Sequence, residues 1–152
     1  MTPAQKNFYS EGTEIAVVAC IDPHFSKHIN IAVQNAFGGG NKHYDPRIPG
    51  GIDAVTALHK GTQKQTSNRE VIFRAIRLVK VKRVIWLNHI FCAAWVAENI
   101  EFSDVESAER FHLKNLSQGV SIVKEVFPDL QHEFGVLTLN HDGLVFIKRL
   151  IC

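Results

Sequence analysis

No stretch of this chain approaches the roughly 20 consecutive apolar residues that a membrane-spanning helix needs, which argues against a helical membrane protein. The first dozen residues, MTPAQKNFYSEG, lack a basic segment followed by an apolar one, so no export signal is expected and the expected compartment is cytoplasmic. Cysteine is scarce. Three cysteines cannot all pair with one another, and in a reducing compartment neighbouring Cys and His residues read as metal ligands or catalytic groups before disulfides. Charge of one sign is lacking as well: the formal net charge is +2, and the basic residues are scattered rather than gathered into the positive face that nucleic-acid binding requires. Internal repeats and low-complexity segments are absent. The expected partners are therefore small molecules or further copies of the chain.

What is present suits one globular domain over residues 1–152, with residues 1–14 as an N-terminal arm: 152 residues, 45% of them hydrophobic, can bury most of their apolar surface. Ile15 to Cys20 reads as a buried strand, and Asp22-Pro23 then forces a turn. Ser26 is positioned to cap a helix carrying Ile29, Ile31, Ala32, Val33, Ala36 and Phe37 and stopped at Gly38-Gly39-Gly40. Tyr44, Arg47 and Ile48 suggest a short strand confined by Pro46 and Pro49, and Val55, Ala57 and Leu58 suggest two helical turns. Ser67 to Glu70 has the form of a capping box and predicts a helix with an inward face of Val71, Ile72, Ala75, Ile76 and Val79.

Val84 to Leu87 is a run of β-branched, aromatic and aliphatic residues suited to a strand buried on both faces, and it is expected to stop at Asn88. Ala93 to Ala97 predicts a helical turn. Ser103 to Glu106 is a second capping box, opening a long helix lined by Val105, Ala108, Leu113, Leu116, Val120, Val123 and Val126 and ended by Phe127-Pro128-Asp129. Phe134 to Asn140 and Leu144 to Ile147 read as two strands joined at Asp142-Gly143. Alternation of strands and helices predicts an α/β fold, a mainly parallel β-sheet flanked by helices.

Chemistry gathers at two strand ends. His89 and Cys92 form an H-x-x-C pair after one apolar run, and Cys20 and Asp22 a C-x-D pair after another, at the edge where open α/β sheets place their ligands. Thiolate and imidazole are the donors zinc prefers, and zinc catalysis needs three protein ligands with one position for water or substrate. Cys20, His89 and Cys92 supply the three. Asp22 either assists at the metal, occupies the fourth position, or caps the turn that follows it.

At these residues the chain resembles the β-class carbonic anhydrases, whose signature is C-x-D-x-R followed by H-x-x-C. Here the first half reads Cys20-Ile21-Asp22-Pro23-His24 and the second His89-Ile90-Phe91-Cys92, with Arg47-Ile48-Pro49-Gly50-Gly51 between them resembling the family's R-N-A-G-G segment. The closing GVLTLNHDGLVF hairpin is similar too, so the likeness runs from about Ile15 to Ile147. It implies a Zn2+ site on Cys20, His89 and Cys92, reversible hydration of carbon dioxide to bicarbonate by zinc hydroxide, and a homodimer as the smallest working unit. Carbonyl sulfide and carbon disulfide suit the same chemistry. Asp22 and His24 would be the catalytic pair and Arg47, Gly50 and Gly51 the substrate-binding segment.

Two residues depart from the family pattern. His24 stands where the family has an arginine that keeps the aspartate off the metal, and Ala93 stands where it usually has glycine; Pro49 for alanine is a smaller change. A histidine is a shorter, pH-dependent clamp. The alternative is therefore a catalytically silent zinc protein of the same fold, structural or sensing, with Asp22 as fourth ligand. His24 is read as a proton shuttle, a partner of Asp22 or an exposed turn residue. Arg47 is read as orienting an anion, pairing with an acidic residue across a dimer contact, or solvated. Gly50 and Gly51 read first as backbone geometry, and Phe91 and Trp95 as core or interface aromatics. His28, His43, His59, His112, His132 and His141 read as surface or core residues and Cys152 as inert.

Overall fold

The structure, a computed structural model, describes residues 2–5, 14–38, 43–48, 51–52, 63–96 and 99–151, with side chains of the helix that opens at Gln63 described from Arg69. Four strands, β1 (Ile15–Val18), β2 (Arg83–His89), β3 (Gln131–Leu139) and β4 (Val145–Leu150), form one sheet in that order. β1, β2 and β3 run parallel, with Val18 opposite Trp86 and His89 opposite Leu137, and β4 returns antiparallel. Around them are α1 (Pro23–Ser26), α2 (Ile29–Phe37), α3 (Gln63–Val79), α4 (Ala93–Val96) and α5 (Val105–Val126). The expected α/β class and the mainly parallel sheet are both present.

The strands form because their side chains have apolar cover on each face. Val17, Val84, Ile85, Trp86, Leu87, Phe134, Val136 and Leu137 are at most 1% exposed, which is why β2 reads as a continuous apolar run rather than an alternating one. Ile29, Ala32 and Val33 of α2, Ile72, Phe73 and Ile76 of α3, and Ala108, Leu116 and Val123 of α5 complete the same core. α5 packs on β3 and α2 on β4. Outside β1 the segment 44–48 adds parallel bridges at Tyr44 and Arg47; Val17 N–H donates to the Tyr44 carbonyl and Ala19 N–H to the Pro46 carbonyl. Proline is tolerated there because the ladder needs only its carbonyl.

Several local expectations shift. β2 continues through Asn88 and His89 instead of stopping: Asn88 is 1% exposed, and its side-chain amide donates to the His112 carbonyl at 3.5 Å, which helps to hold a polar residue inside the sheet. α3 already runs at Ser67, because it opens at Gln63 among residues of good helix propensity. Its inward residues are Ile72, Phe73 and Ile76, whereas Val71 is 64% exposed. Ser26 closes α1 and does not cap α2, whose first flanking residue His28 makes no side-chain cap; Ile31 points outward at 69% exposure. Gly38 does end α2, at a φ of 69°.

The cap of α5 lies one residue later than expected. Asp104 accepts the Ser107 N–H at 2.7 Å, and the Ser107 hydroxyl accepts the Asp104 N–H at 3.3 Å. The helix ends at Val126 and the closing hairpin turns at Asn140–Gly143, as expected, although its strands run longer at both outer ends. Residues 2–5 of the expected arm make one helical turn in which Thr2 and Gln5 exchange hydrogen bonds. The readings at Gly39, Gly40, Pro49, Gly50, Val55, Ala57, Leu58, Ala97 and Cys152 fall outside the described residues. Among the described residues no helix is long and apolar enough to cross a membrane.

Candidate metal centre

Parallel pairing places both half-sites at one edge of the sheet. Val18 lies opposite Trp86, so two residues further along each chain Cys20 comes level with Asn88, beside His89, the last residue of β2. The chain then turns. Ile90 N–H donates to the Leu137 carbonyl at 3.0 Å and Phe91 adopts φ +54°, a left-handed conformation costly for a bulky residue, which redirects the backbone so that Cys92 faces Cys20. The Cys92 carbonyl then accepts the Trp95 N–H at 3.0 Å, anchoring the cysteine to α4.

Cys20, His89 and Cys92 are all buried, and their ligand atoms lie within 4.8 Å of one another. The two sulfurs are 3.8 Å apart. Two sulfurs held at roughly 2.3 Å from one tetrahedral zinc would stand about 3.8 Å apart. His89 is oriented as a ligand: Nδ1 bonds the Ile90 carbonyl at 2.8 Å, which fixes its proton there and leaves the Nε2 lone pair outward. Nε2 is buried and makes no hydrogen bond among the described residues, while the Phe25 ring packs 4.8 Å from the imidazole. A buried acceptor without a hydrogen bond is costly unless something else satisfies it. Donor set, sulfur spacing and this nitrogen all fit a tetrahedral thiophilic ion.

Asp22 stands beside the cluster. Its Oδ1 accepts the His24 N–H at 2.8 Å, capping α1, and lies 2.8 Å from His24 Nδ1; its Oδ2 is 3.8 Å from His89 Nε2. Burial alone would raise its carboxyl, but the two His24 bonds and the neighbouring imidazoles outweigh that and hold it below the usual carboxylate range. The capping reading and the metal-side reading of Asp22 are compatible, one oxygen serving each. For His89, burial would lower the ring, and the Cys20 side chain, the Ile90 carbonyl and Asp22 together raise it.

Arg47 is engaged within its own chain. Its guanidinium makes two bonds to Asp45, at 2.5 and 2.6 Å, and one to the Cys20 carbonyl at 3.3 Å. Gly51 has φ +54°, and a Cβ there would sit 2.5 Å from the Leu87 carbonyl oxygen and 3.2 Å from the Cys20 nitrogen. Both residues thus hold the backbone that carries the first cysteine. Trp95 is 1% exposed and packs with Cys20 and Cys92, whereas Phe91 is 44% exposed and is no core residue. The cysteines and Asp22 open onto a pocket of about 480 Å³ walled by Ile21, Pro23, Ala93 and Ala94, with His24 at its side.

Sequence reasoning missed a buried polar seam on α5. Glu109, His112 and Asn115 are at most 8% exposed, and Glu109 accepts the Thr138 hydroxyl at 2.6 Å and the Lys148 ammonium at 2.8 Å. Their spacing of three is a helical signal, but a polar one reads as a solvated face until its partners are known.

No family model and no curated protein matches the sequence. Solved structures do. One of two tetrameric β-carbonic anhydrases of the filamentous ascomycete Sordaria macrospora is similar at TM-score 0.59 and 15% identity, over 99% of this chain and 88% of that one. The carbonic anhydrase of Glaciozyma antarctica is similar at 0.51 and 14%, over 96% and 95%. The β-carbonic anhydrase CafA of the fungal pathogen Aspergillus fumigatus is similar at 0.51 and 17%, over 97% and 81%. At such identities the likeness speaks for architecture alone, and the conclusion is that this chain has a fold like that of the β-carbonic anhydrases.

Proposed function

We propose that the protein is a zinc hydratase of the β-carbonic anhydrase kind, acting on carbon dioxide or a related small electrophile such as carbonyl sulfide or carbon disulfide. The observation that carries this reading is the Cys20–His89–Cys92 cluster, with its 3.8 Å sulfur spacing and outward Nε2, at the floor of a pocket in a carbonic-anhydrase-like fold. Zinc bound there supplies a Lewis acid that makes water nucleophilic near neutral pH. The rest belongs to the chain. Ile21, Pro23, Ala93 and Ala94 offer an apolar wall suited to a small uncharged substrate. Asp22, held ionised, accepts a proton-bearing group through Oδ2, and His24 holds Oδ1 away from the cluster. Arg47 and Gly51 keep the Cys20 backbone in place, and with Gly50 they form the segment assigned to the substrate side. The Sordaria proteins are described as tetrameric, and the working unit proposed here is a homodimer or a higher homo-oligomer.

A second reading is favoured by one observation: the His24 side chain that clamps Asp22 is 85% exposed. An exposed clamp is weak, and a released Asp22 would close the site, leaving a silent zinc protein. Stopped-flow carbon dioxide hydration by zinc-loaded protein between pH 6 and 9, against Cys92→Ser, tests the first reading. A rate above that control is expected; equality across the range overturns hydratase function, and elemental analysis then separates a silent zinc protein from one without zinc.

A further inference from the structure

We propose that Cys20 and Cys92 form a disulfide when the centre lacks metal and a hydroperoxide enters the pocket, so that oxidation of this thiol pair and zinc binding exclude each other. The exclusion rests on the zinc reading above; the disulfide does not. The two sulfurs are 3.8 Å apart although their residues are 72 positions apart, and neither cysteine is disulfide-bonded. A bond of about 2.05 Å requires the sulfurs to approach by roughly 1.8 Å, a distance within reach of rotation about the two Cα–Cβ bonds.

Access and competition point the same way. Both side chains line the pocket of about 480 Å³, which is open enough for a two-oxygen oxidant, although each residue is at most 7% exposed. Bulk oxidants and other proteins are thereby kept out. One thiolate attacks the peroxide O–O bond, forming a sulfenic acid and releasing water or an alcohol. The second thiolate attacks that sulfur and expels hydroxide, which takes up a proton as water. In sum two thiols and one hydroperoxide give one disulfide, one water and one water or alcohol; sulfur is oxidised and peroxide oxygen reduced. A second thiol this near traps the sulfenic acid before it reaches sulfinic acid. Zinc-bound thiolates have their reactive lone pairs engaged, which is why the two states exclude each other.

The test uses the full chain carrying Cys152→Ser, so that Cys20 and Cys92 are its remaining thiols, prepared metal-free and zinc-loaded and treated with hydrogen peroxide. Metal-free protein is expected to lose both thiols and about 2 Da of mass, to yield a peptide pair joining Cys20 to Cys92, and to recover both thiols with a dithiol reductant. Zinc-loaded protein is expected to lose thiols at least about tenfold more slowly. The further variant Cys20→Ser should give a dimedone-trappable Cys92 sulfenic acid instead. Thiols that survive in the metal-free protein, oxidation to sulfinic acid without the disulfide, or dimers on a non-reducing gel overturn the proposal. An internal disulfide in a protein that elemental analysis shows to bind no zinc keeps the disulfide and overturns the zinc reading; zinc binding without an internal disulfide does the reverse.

Discussion

His24 Nδ1 lies 2.8 Å from Asp22 Oδ1, and the backbone N–H of the same histidine donates to the same oxygen at 2.8 Å. One residue thus holds the aspartate twice, once through backbone that any residue supplies and once through a ring that is 85% exposed. The backbone bond fixes where Oδ1 sits; the ring decides how firmly. The other oxygen is left 3.8 Å from His89 Nε2, next to the proposed metal.

Replacing that ring should therefore tune the site without unfolding it. His24→Arg is expected to raise the hydration rate of zinc-loaded protein about tenfold, roughly 1.4 kcal/mol, because a permanently charged guanidinium is the stronger clamp. His24→Ala should lower it by a similar factor. Identical stopped-flow rates for all three proteins would show that the ring does not control Asp22.

Metal removal should be visible in stability. A ligand that binds the folded state alone adds about 4 kcal/mol at a thousandfold excess over its dissociation constant, so a chelator is expected to lower the melting temperature of the purified protein. Cys92→Ser should start lower and be insensitive to chelator, with zinc well under one per chain by elemental analysis. A melting curve that chelator leaves unchanged in the parent protein counts against a bound ion.

Gly51 should resist substitution. Gly51→Ala forces a Cβ into the left-handed region and to within 2.5 Å of the Leu87 carbonyl oxygen, a backbone atom that cannot swing aside. The expected cost is about 3 kcal/mol from conformational strain and overpacking together, read as a lower urea midpoint at unchanged slope. A shift under a third of that would mean the strand ends move apart easily.

His132 sets a pH dependence away from the site. Trp86 Nε1–H donates to its Nδ1 at 3.0 Å and its Nε2 bonds the Phe127 carbonyl at 2.8 Å, an arrangement that suits the neutral ring. Burial lowers its pKa, the Phe127 carbonyl partly opposes that, and Lys124 adds to it. A lowered folded-state value means the unfolded chain takes up the proton first. The stability due to this residue is thus full above about pH 6.5 and is lost below it, at no more than about 1.4 kcal/mol per pH unit. Urea midpoints followed by tryptophan fluorescence at pH 8 and pH 5.5 should fall by more in the parent than in His132→Asn.

Much of the frame was legible before any coordinates. The apolar runs at Ile15 and Val84 became parallel neighbours, the Asn140–Gly143 turn joined an antiparallel pair, and cysteine and histidine at the strand ends converged. Polar residues carried the weaker signal. Asn88 continues its strand, and Glu109 is buried, because a polar side chain can be buried once its partners arrive. Those partners are remote: Thr138 and Lys148 lie 29 and 39 residues from Glu109. Val71 and Phe73 show the same limit on one helix, where periodicity pointed to Val71 as inward and packing chose the phenylalanine instead.

The sequence by itself determined which segments are strands, which donors stand at their ends and in what order, since these follow from composition and spacing along the chain. Tertiary structure alone decided that two sulfurs rest 3.8 Å apart, that His24 holds Asp22, and that Arg47 grips Asp45 and the Cys20 carbonyl. The physical reason is range. Backbone preference and hydrophobic period act over a few residues, whereas a metal cluster, a clamp or a buried charge depends on atoms that only the folded sheet brings within bonding distance.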